Sequence, residues 1–261
     1  DIQQPLMGCT GMRMGRNVPR EFTAAPSPED LMTPNPRLIS EKLMQRKEFK
    51  PATIVNLLAA AWIQFMVHDW FGHYDSEEQI EVPLMPDDTW SEDKMKVHRT
   101  LADTPLSEID RKFPAYRNKN THWWDGSQIY GSTEAQTTLL REKAVNGKLF
   151  LEDGSSDHFL PRDSRGIPVT GFSDNWWTGL ELLHTLFVLE HNAICEDLVQ
   201  HFPDWTSDQI FDTARLVNCA LMAKIHTVEW TPAILPHPAL QIGMNANWWG
   251  LLGEKRLKVW G

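Results

Sequence analysis

The sequence predicts a mainly α-helical fold with long ordered loops. Three observations carry that expectation. Three long stretches, 52–70, 176–201 and 206–230, run without proline and are largely apolar. The segments between them are punctuated by Gly and Pro, and strand-like alternation is weak throughout. At 261 residues and 30.0 kDa the chain is long enough for a substantial core, since folding at this size buries roughly 70–75% of the unfolded surface.

Residues 1–50 read as an irregular arm, because Gly8, Gly11, Gly15, Pro19, Pro26, Pro28, Pro34 and Pro36 interrupt any regular period. A short helix is expected near Ile39–Arg46. Residues 51–261 form the rest of the chain and hold the three long helices. Within it, Ala52–Trp70 is a nearly continuous apolar helix, which implies burial on most sides. Residues 71–120 are polar, charged and broken by proline, and read as a long surface excursion with short elements of its own. A second helix is expected over Trp176–His201. A third follows Thr206, which forms a capping box with Gln209. It runs to about Trp230, where Pro232 forbids further propagation. No internal repeat is present.

Composition removes several function classes. Lys+Arg number 25 against 35 Asp+Glu, a net charge of -10, so nucleic acid and anionic lipid are disfavoured partners. Cys9, Cys195 and Cys219 form neither a disulfide framework nor a CxxC pair. The least polar run, Ala52–Val67, contains Asn56 and Gln64 and falls short of the ~20 apolar residues of a membrane span. The chain opens on Asp1 without a signal-like leader, and so reads as one from which something has already been removed. Nothing sets the compartment. Twelve Trp against three Tyr suit large apolar sites.

Three sets of residues could carry chemistry. Gln64 and His68 are four apart and therefore neighbours on one helix face. An imidazole beside an amide at the end of an apolar helix can exchange protons with a ligand; it can equally be a core histidine bonded to a backbone carbonyl. The loop Thr121–Ser127 offers oxygens at Thr121, Asp125 and Ser127, and with a remote carboxylate such as Asp69 it could wrap a hard cation. The alternative is an ordinary Asp-Gly turn. His184, His191 and His226 lie on the later helices. Glu181 and His184 form one ExxH, whereas a carboxylate-bridged di-iron bundle needs two, and no HExxH is present. His226 can be a satisfied core histidine or a substrate group.

Taken together, WIQFMVHDWFGH (62–73), THWWDGSQIYGS (121–132), NWWTGLELLHTLFVLEHNAICEDL (175–198) and AKIHTVEWTP (223–232) resemble the animal-type haem peroxidases. That superfamily includes cyclooxygenases and fatty-acid α-dioxygenases, and the wording is most similar to the α-dioxygenase branch and its bacterial relatives. The resemblance implies a haem peroxidase-like helical fold, incomplete in this chain. It makes His68 the distal haem histidine and Gln64 its partner. Asp69, Thr121, Trp123 (through its carbonyl), Asp125 and Ser127 become calcium ligands, and His226 and Thr231 lie by the fatty-acid carboxylate. Calcium would then hold the loop to the end of the distal helix and orient His68.

The resemblance also has departures. Val67 precedes His68 and cannot form an ester to haem, so haem b is expected to be non-covalent. Phe172-Ser173-Asp174-Asn175 lacks the arginine that peroxidases place near this point, which disfavours efficient heterolysis of hydrogen peroxide. The proximal haem histidine and the radical tyrosine have no match: after Pro232 the only histidine is His237, and no tyrosine follows Tyr130. The chain therefore resembles the N-terminal, distal half of a catalytic domain. A second chain or missing C-terminal half is the expected partner, with fatty acid, oxygen and peroxide as reactants. The function implied is fatty-acid α-dioxygenation. Its alternatives are a haem peroxidase acting on small reductants or halides, and a non-catalytic, calcium-stabilised interaction module.

Overall fold

The computed structural model describes residues 3–4, 6–24, 26–153 and 158–257. In chain order the elements are α1 (Pro28–Leu31), α2 (Pro36–Ile39), α3 (Leu57–Trp70), β1 (Asp75–Pro83), β2 (Lys94–Thr100), α4 (Glu108–Lys112), α5 (Ser127–Tyr130) and α6 (Glu134–Arg141). There follow β3 (Glu152–Asp153), β4 (His158–Phe159), α7 (Thr178–His201), α8 (Ser207–Lys224), α9 (Thr231–Ile234), α10 (Pro238–Trp249) and α11 (Glu254–Leu257). The fold is mainly helical, as the sequence predicts.

The chain divides into two compact units. The first comprises Asp1–Pro51 with Phe71–Thr121, so the N-terminal arm and the polar excursion form one body. Backbone pairing joins them, with Gly11 N–H donating to the Asn118 carbonyl at 2.8 Å and Asn118 N–H to the Met12 carbonyl at 2.9 Å. Arg13 bonds both Asp103 (2.5 Å) and Asp110 (2.8 Å), and Arg37 bonds Asp88 at 2.6 Å. β1 and β2 pair antiparallel, with Gln79 opposite His98 and Val82 opposite Met95. This hairpin was not expected. Most of its side chains are exposed on both faces, so no apolar alternation marks it in the sequence.

The second unit comprises Ala52–Trp70 with His122–Gly261. Its core joins Ala61, Trp62, Phe65 and Met66 of α3 to Ile129 and Tyr130, to Leu180, Leu183, Phe187 and Val188 of α7, and to Phe211 and Met222 of α8. α3 starts at Leu57 rather than Ala52, because the Asn56 side chain accepts the Leu58 N–H (3.0 Å) and starts the helix there. α7 starts at Thr178 rather than Trp176, with Trp177 held in an extended conformation. The expected helix at Ile39–Arg46 lies earlier, as α2 and a π segment to Met44, because Asn35 caps its start. The Thr206–Gln209 capping box is present in both directions. Pro232 does not end the third helix. The chain passes from α8 into a π segment, Ile225–Trp230, and continues as α9 with Pro232 in its first turn, where a missing N–H costs no hydrogen bond. Among the described residues no helix is long and apolar enough to cross a membrane.

Candidate functional site

The end of α3 carries the first set. His68 is buried, and Gln64 Nε2 lies 3.5 Å from His68 Nε2, one turn apart as the i, i+4 spacing requires. Gln64 is held from two sides, with Trp177 Nε1–H donating to its Oε1 at 2.8 Å and its own Nε2 donating to the Asn175 carbonyl at 3.0 Å. Phe172 packs edge-on against His68 at 4.7 Å, so an apolar ring stands beside the imidazole. Burial lowers the His68 pKa, and Asp174 acts in the opposite direction. His68 is thus a neutral base at pH 7. Ile63 and Val67, which flank this pair on the helix, are exposed. The face that presents Gln64 and His68 therefore also offers uncovered apolar surface, which fits a large planar apolar group such as haem.

The loop of the second set is pinned to the same helix end. His122 Nδ1 donates to the Trp70 carbonyl at 2.7 Å. Ser127 N–H donates to Asp69 Oδ1 at 2.8 Å, and the Ser127 hydroxyl lies 3.2 Å from that oxygen. Gly126 makes the turn with φ 67°, and a methyl group there would sit 2.9 Å from the Tyr130 ring, so only glycine fits. Asp69 is almost fully buried, and burial followed by repulsion from Asp125 pushes its carboxyl up to about 7. Arg215 answers part of this charge, its Nε donating to the Asp125 carbonyl (3.0 Å) with Nη2 3.4 Å from Oδ2. Two carboxylates drawn together with hydroxyl and carbonyl oxygens form a hard donor set, which fits calcium. Only two of these residues are acidic, and no cluster of three His, Cys, Asp or Glu occurs among the described residues. Thr121 is buried and closes the first unit, whereas the other four residues belong to the second.

The third set separates on inspection. His226 sits among tryptophans, with Trp62 at 6.3 Å, Trp70 at 5.4 Å and Trp124 at 5.4 Å between ring centres. Trp62 Nε1–H donates to His226 Nδ1 at 3.3 Å. Indole is only a donor, so Nδ1 must be bare and the neutral ring carries its proton on Nε2. Thr231 donates its hydroxyl to the His226 carbonyl at 2.7 Å; binding a carboxylate would require that hydroxyl to turn away. His191 is structural, accepting from Tyr130 Oη (3.0 Å) and donating to the Gly147 carbonyl (3.0 Å). His184 is fully buried between Phe65 and Trp176, and burial lowers its pKa to about 3. Glu181 of the ExxH pairs with Arg162 instead. One cleft of about 480 Å³ along α7 is lined by Lys143, Lys148, Leu149, Phe150, Asn192 and Glu196. It is open to solvent and includes none of the residues above.

The sequence profile described as animal haem peroxidase matches residues 1–259. The chain belongs to the animal haem peroxidase family. Within that family it is 38% identical to alpha-dioxygenase 2 of Arabidopsis thaliana over 95% of its length, and 38% identical to alpha-dioxygenase PIOX of Oryza sativa over 87%. It also superposes on the crystal structure of the rice fatty acid alpha-dioxygenase with palmitic acid, with a TM-score of 0.83 and 35% identity, covering 95% of this chain and 40% of that one. The chain spans 38% and 36% of the length of the two curated relatives.

Two residues of this candidate site escaped the sequence. Trp177 and Arg215 touch Gln64 and Asp125 only through the fold. The one available signal was a lone arginine in the apolar run of α8 and a Trp-Trp pair just before α7. For His226, Trp62→Phe is expected to leave the melting temperature within a few degrees and to make the imidazole a mixture of both N–H tautomers. 15N NMR of histidine-labelled protein reads this directly. A single unchanged tautomer would show that Trp62 only packs.

Proposed function

We propose that the protein of which this chain is part oxidises fatty acids at the carbon next to the carboxylate, yielding a 2-hydroperoxide. The observation that carries this reading is the pairing of His68 with an oriented Gln64 on an uncovered apolar face, in a chain similar to α-dioxygenases over 95% of its length. Haem b, held without a covalent bond on the face of Gln64 and His68, would supply one-electron oxidising power. His68 takes the proton of the incoming peroxide on its bare Nε2 and returns it to the departing oxygen. Gln64 holds that nitrogen in place, and Phe172 keeps water from the ring. His226 offers its Nε2–H to the substrate carboxylate. A tyrosyl radical on sequence outside this chain removes the α-hydrogen, and oxygen adds to the carbon. The resulting peroxyl recovers a hydrogen atom from the tyrosine.

Calcium in the Asp69–Asp125–Ser127 loop, with Thr121 and the Trp123 carbonyl as further ligands, would fix the end of α3 and so the position of His68. The proximal haem histidine belongs to the remainder of the protein or to a second chain. Its docking surface is written on the helices. α7 buries one stripe (Leu180, Leu183, Phe187, Val188) and exposes a second, Leu182, Leu186 and Leu189, as α3 exposes Ile63 and Val67. In the complete protein these positions should be covered, within an interface of about 2,000–5,000 Å². Hydrogen exchange of α7 that is equally fast in the complete protein and in this chain would disprove the covering.

The experiment for the function is mass spectrometry of a C16 or C18 fatty acid incubated with the haem-loaded complete protein and oxygen. A 2-hydroperoxide, or the aldehyde one carbon shorter, is the expected product. Turnover of peroxide with small reductants and no such product would assign the protein to the peroxidases instead. A complete protein that takes up no haem would leave only a calcium-stabilised interaction module.

A further inference from the structure

We infer that Trp177 is a positioning residue: it fixes which way Gln64 presents its amide and, through Gln64, which nitrogen of His68 carries the proton. The inference starts from donor and acceptor chemistry. Indole Nε1–H can only donate, so the Gln64 atom 2.8 Å from it must be the carbonyl Oε1. The amide nitrogen then points the other way and meets two groups, the Asn175 carbonyl at 3.0 Å and His68 Nε2 at 3.5 Å. An NH₂ group has two hydrogens, one for each. Because His68 Nε2 faces an N–H, it must be the bare nitrogen, and the ring proton sits on Nδ1. If the amide were reversed, Gln64 would present a carbonyl to His68 and draw the proton onto Nε2. Trp177 would then face an N–H with its own N–H. The indole and the Asn175 carbonyl together select one of two states, the indole from the oxygen side of the amide.

The surrounding backbone is shaped to keep the indole there. Asn175 adopts φ 51°, a left-handed turn that aims its carbonyl at Gln64. Trp177 is extended at the start of α7. Its ring lies over Gly179, where a methyl group would stand 2.2 Å from the ring carbons. Only glycine leaves that space. The run Asn175-Trp176-Trp177-Thr178-Gly179 is therefore a cradle for one ring, and the ring's polar atom reaches α3. The functional consequence rests on reading His68 as the group that accepts a proton from peroxide, because only a bare Nε2 can do so.

The test uses 15N NMR of the histidine-labelled chain, with the His68 signals assigned from a His68→Gln spectrum, and kinetics of the haem-loaded complete protein. The wild type should show His68 as a single tautomer protonated on Nδ1. Trp177→Phe keeps the ring over Gly179 but removes the donor, so that only the Asn175 carbonyl still orients the amide, and the fraction of His68 protonated on Nε2 should rise measurably. Peroxide-dependent activation should fall on the order of tenfold, the usual scale for losing an outer partner of a reacting group. Gly179→Ala displaces the same ring without removing its N–H and should give the same mixing. A wild-type His68 protonated on Nε2, or a tautomer unaffected by Trp177→Phe, would overturn the inference. Should the Trp177 variant not fold, the wild-type spectrum and Gly179→Ala decide. Tautomer mixing with unchanged activation would uphold the positioning role and remove His68 from the chemistry.

Discussion

Replacing His68 with alanine in the complete, haem-loaded protein is expected to slow peroxide-dependent activation by roughly 10²–10⁴. The size follows from what surrounds the residue. Burial favours the neutral imidazole, so the wild type already holds a base at the operating pH. Gln64, 3.5 Å from His68 Nε2, is an amide and cannot take over a proton. Phe172 on the other side is apolar, and the 172–175 segment contains no arginine to stabilise the departing oxygen. Stability should change little, because the ring's contacts with Gln64 and Phe172 lie at the edge of the core. Stopped-flow mixing with peroxide measures the effect. A variant that reacts as fast as the wild type would reduce His68 to a packing residue.

The second large effect is expected from removing the cation. In its absence the Asp69 carboxyl lies at about 7, against an ordinary value of 3.8. A carboxyl raised in the folded state binds more protons there than in the unfolded chain, so stability falls as pH rises between those two values. The loss approaches about 4 kcal/mol once both states are ionised, on the order of 10 °C in melting temperature for a protein of this size. Calcium, by pairing with the carboxylate, should restore most of it. Melting in chelator should therefore drop from pH 5 to pH 8, while melting in calcium stays nearly level. Asp69→Asn should flatten the chelator profile. Asp125→Ala should abolish the calcium effect and lower activity with it, although residue 125 touches no substrate. Identical curves in calcium and chelator at both pH values would show that 121–127 is a turn and no more.

The long helices were legible because their signals are local. The apolar run of α3, the stripe of α7 and the Thr206–Gln209 box each depend on neighbours within a few residues. Gln64 and His68 were legible as a pair for the same reason, one turn apart. What the sequence hid depends on the fold. β1 and β2 carry DSEEQIEVP and KMKVHRT, too polar to reveal a buried side because they have almost none. α6 and α10 are short and rest on caps, Thr133 for one and His237 for the other, that are unremarkable until the chain has turned. Arg215 and Trp177 reach Asp125 and Gln64 across 90 and 113 residues. No spacing rule connects such pairs. His184 agrees with the sequence reading, in which one ExxH is too few for a di-iron site: Glu181 pairs with Arg162 and the imidazole is enclosed by aromatic rings.

The π segment Ile225–Trp230 bears on how such a protein can change over generations. A π turn holds one more residue than the α turn it replaces, and it is commonly met as a single-residue insertion into a helix. Each residue of an α-helix advances about 100° around the axis. Deleting one codon within 225–230 would let the chain run on as a regular helix, with little harm to folding. It would place Thr231 four residues after His226 instead of five, where the threonine hydroxyl can still reach the carbonyl one α turn back. Gaining or losing one residue here would therefore keep the scaffold and the direction of Thr231 while changing which side chains the segment presents between it and His226, a change that point substitution cannot imitate.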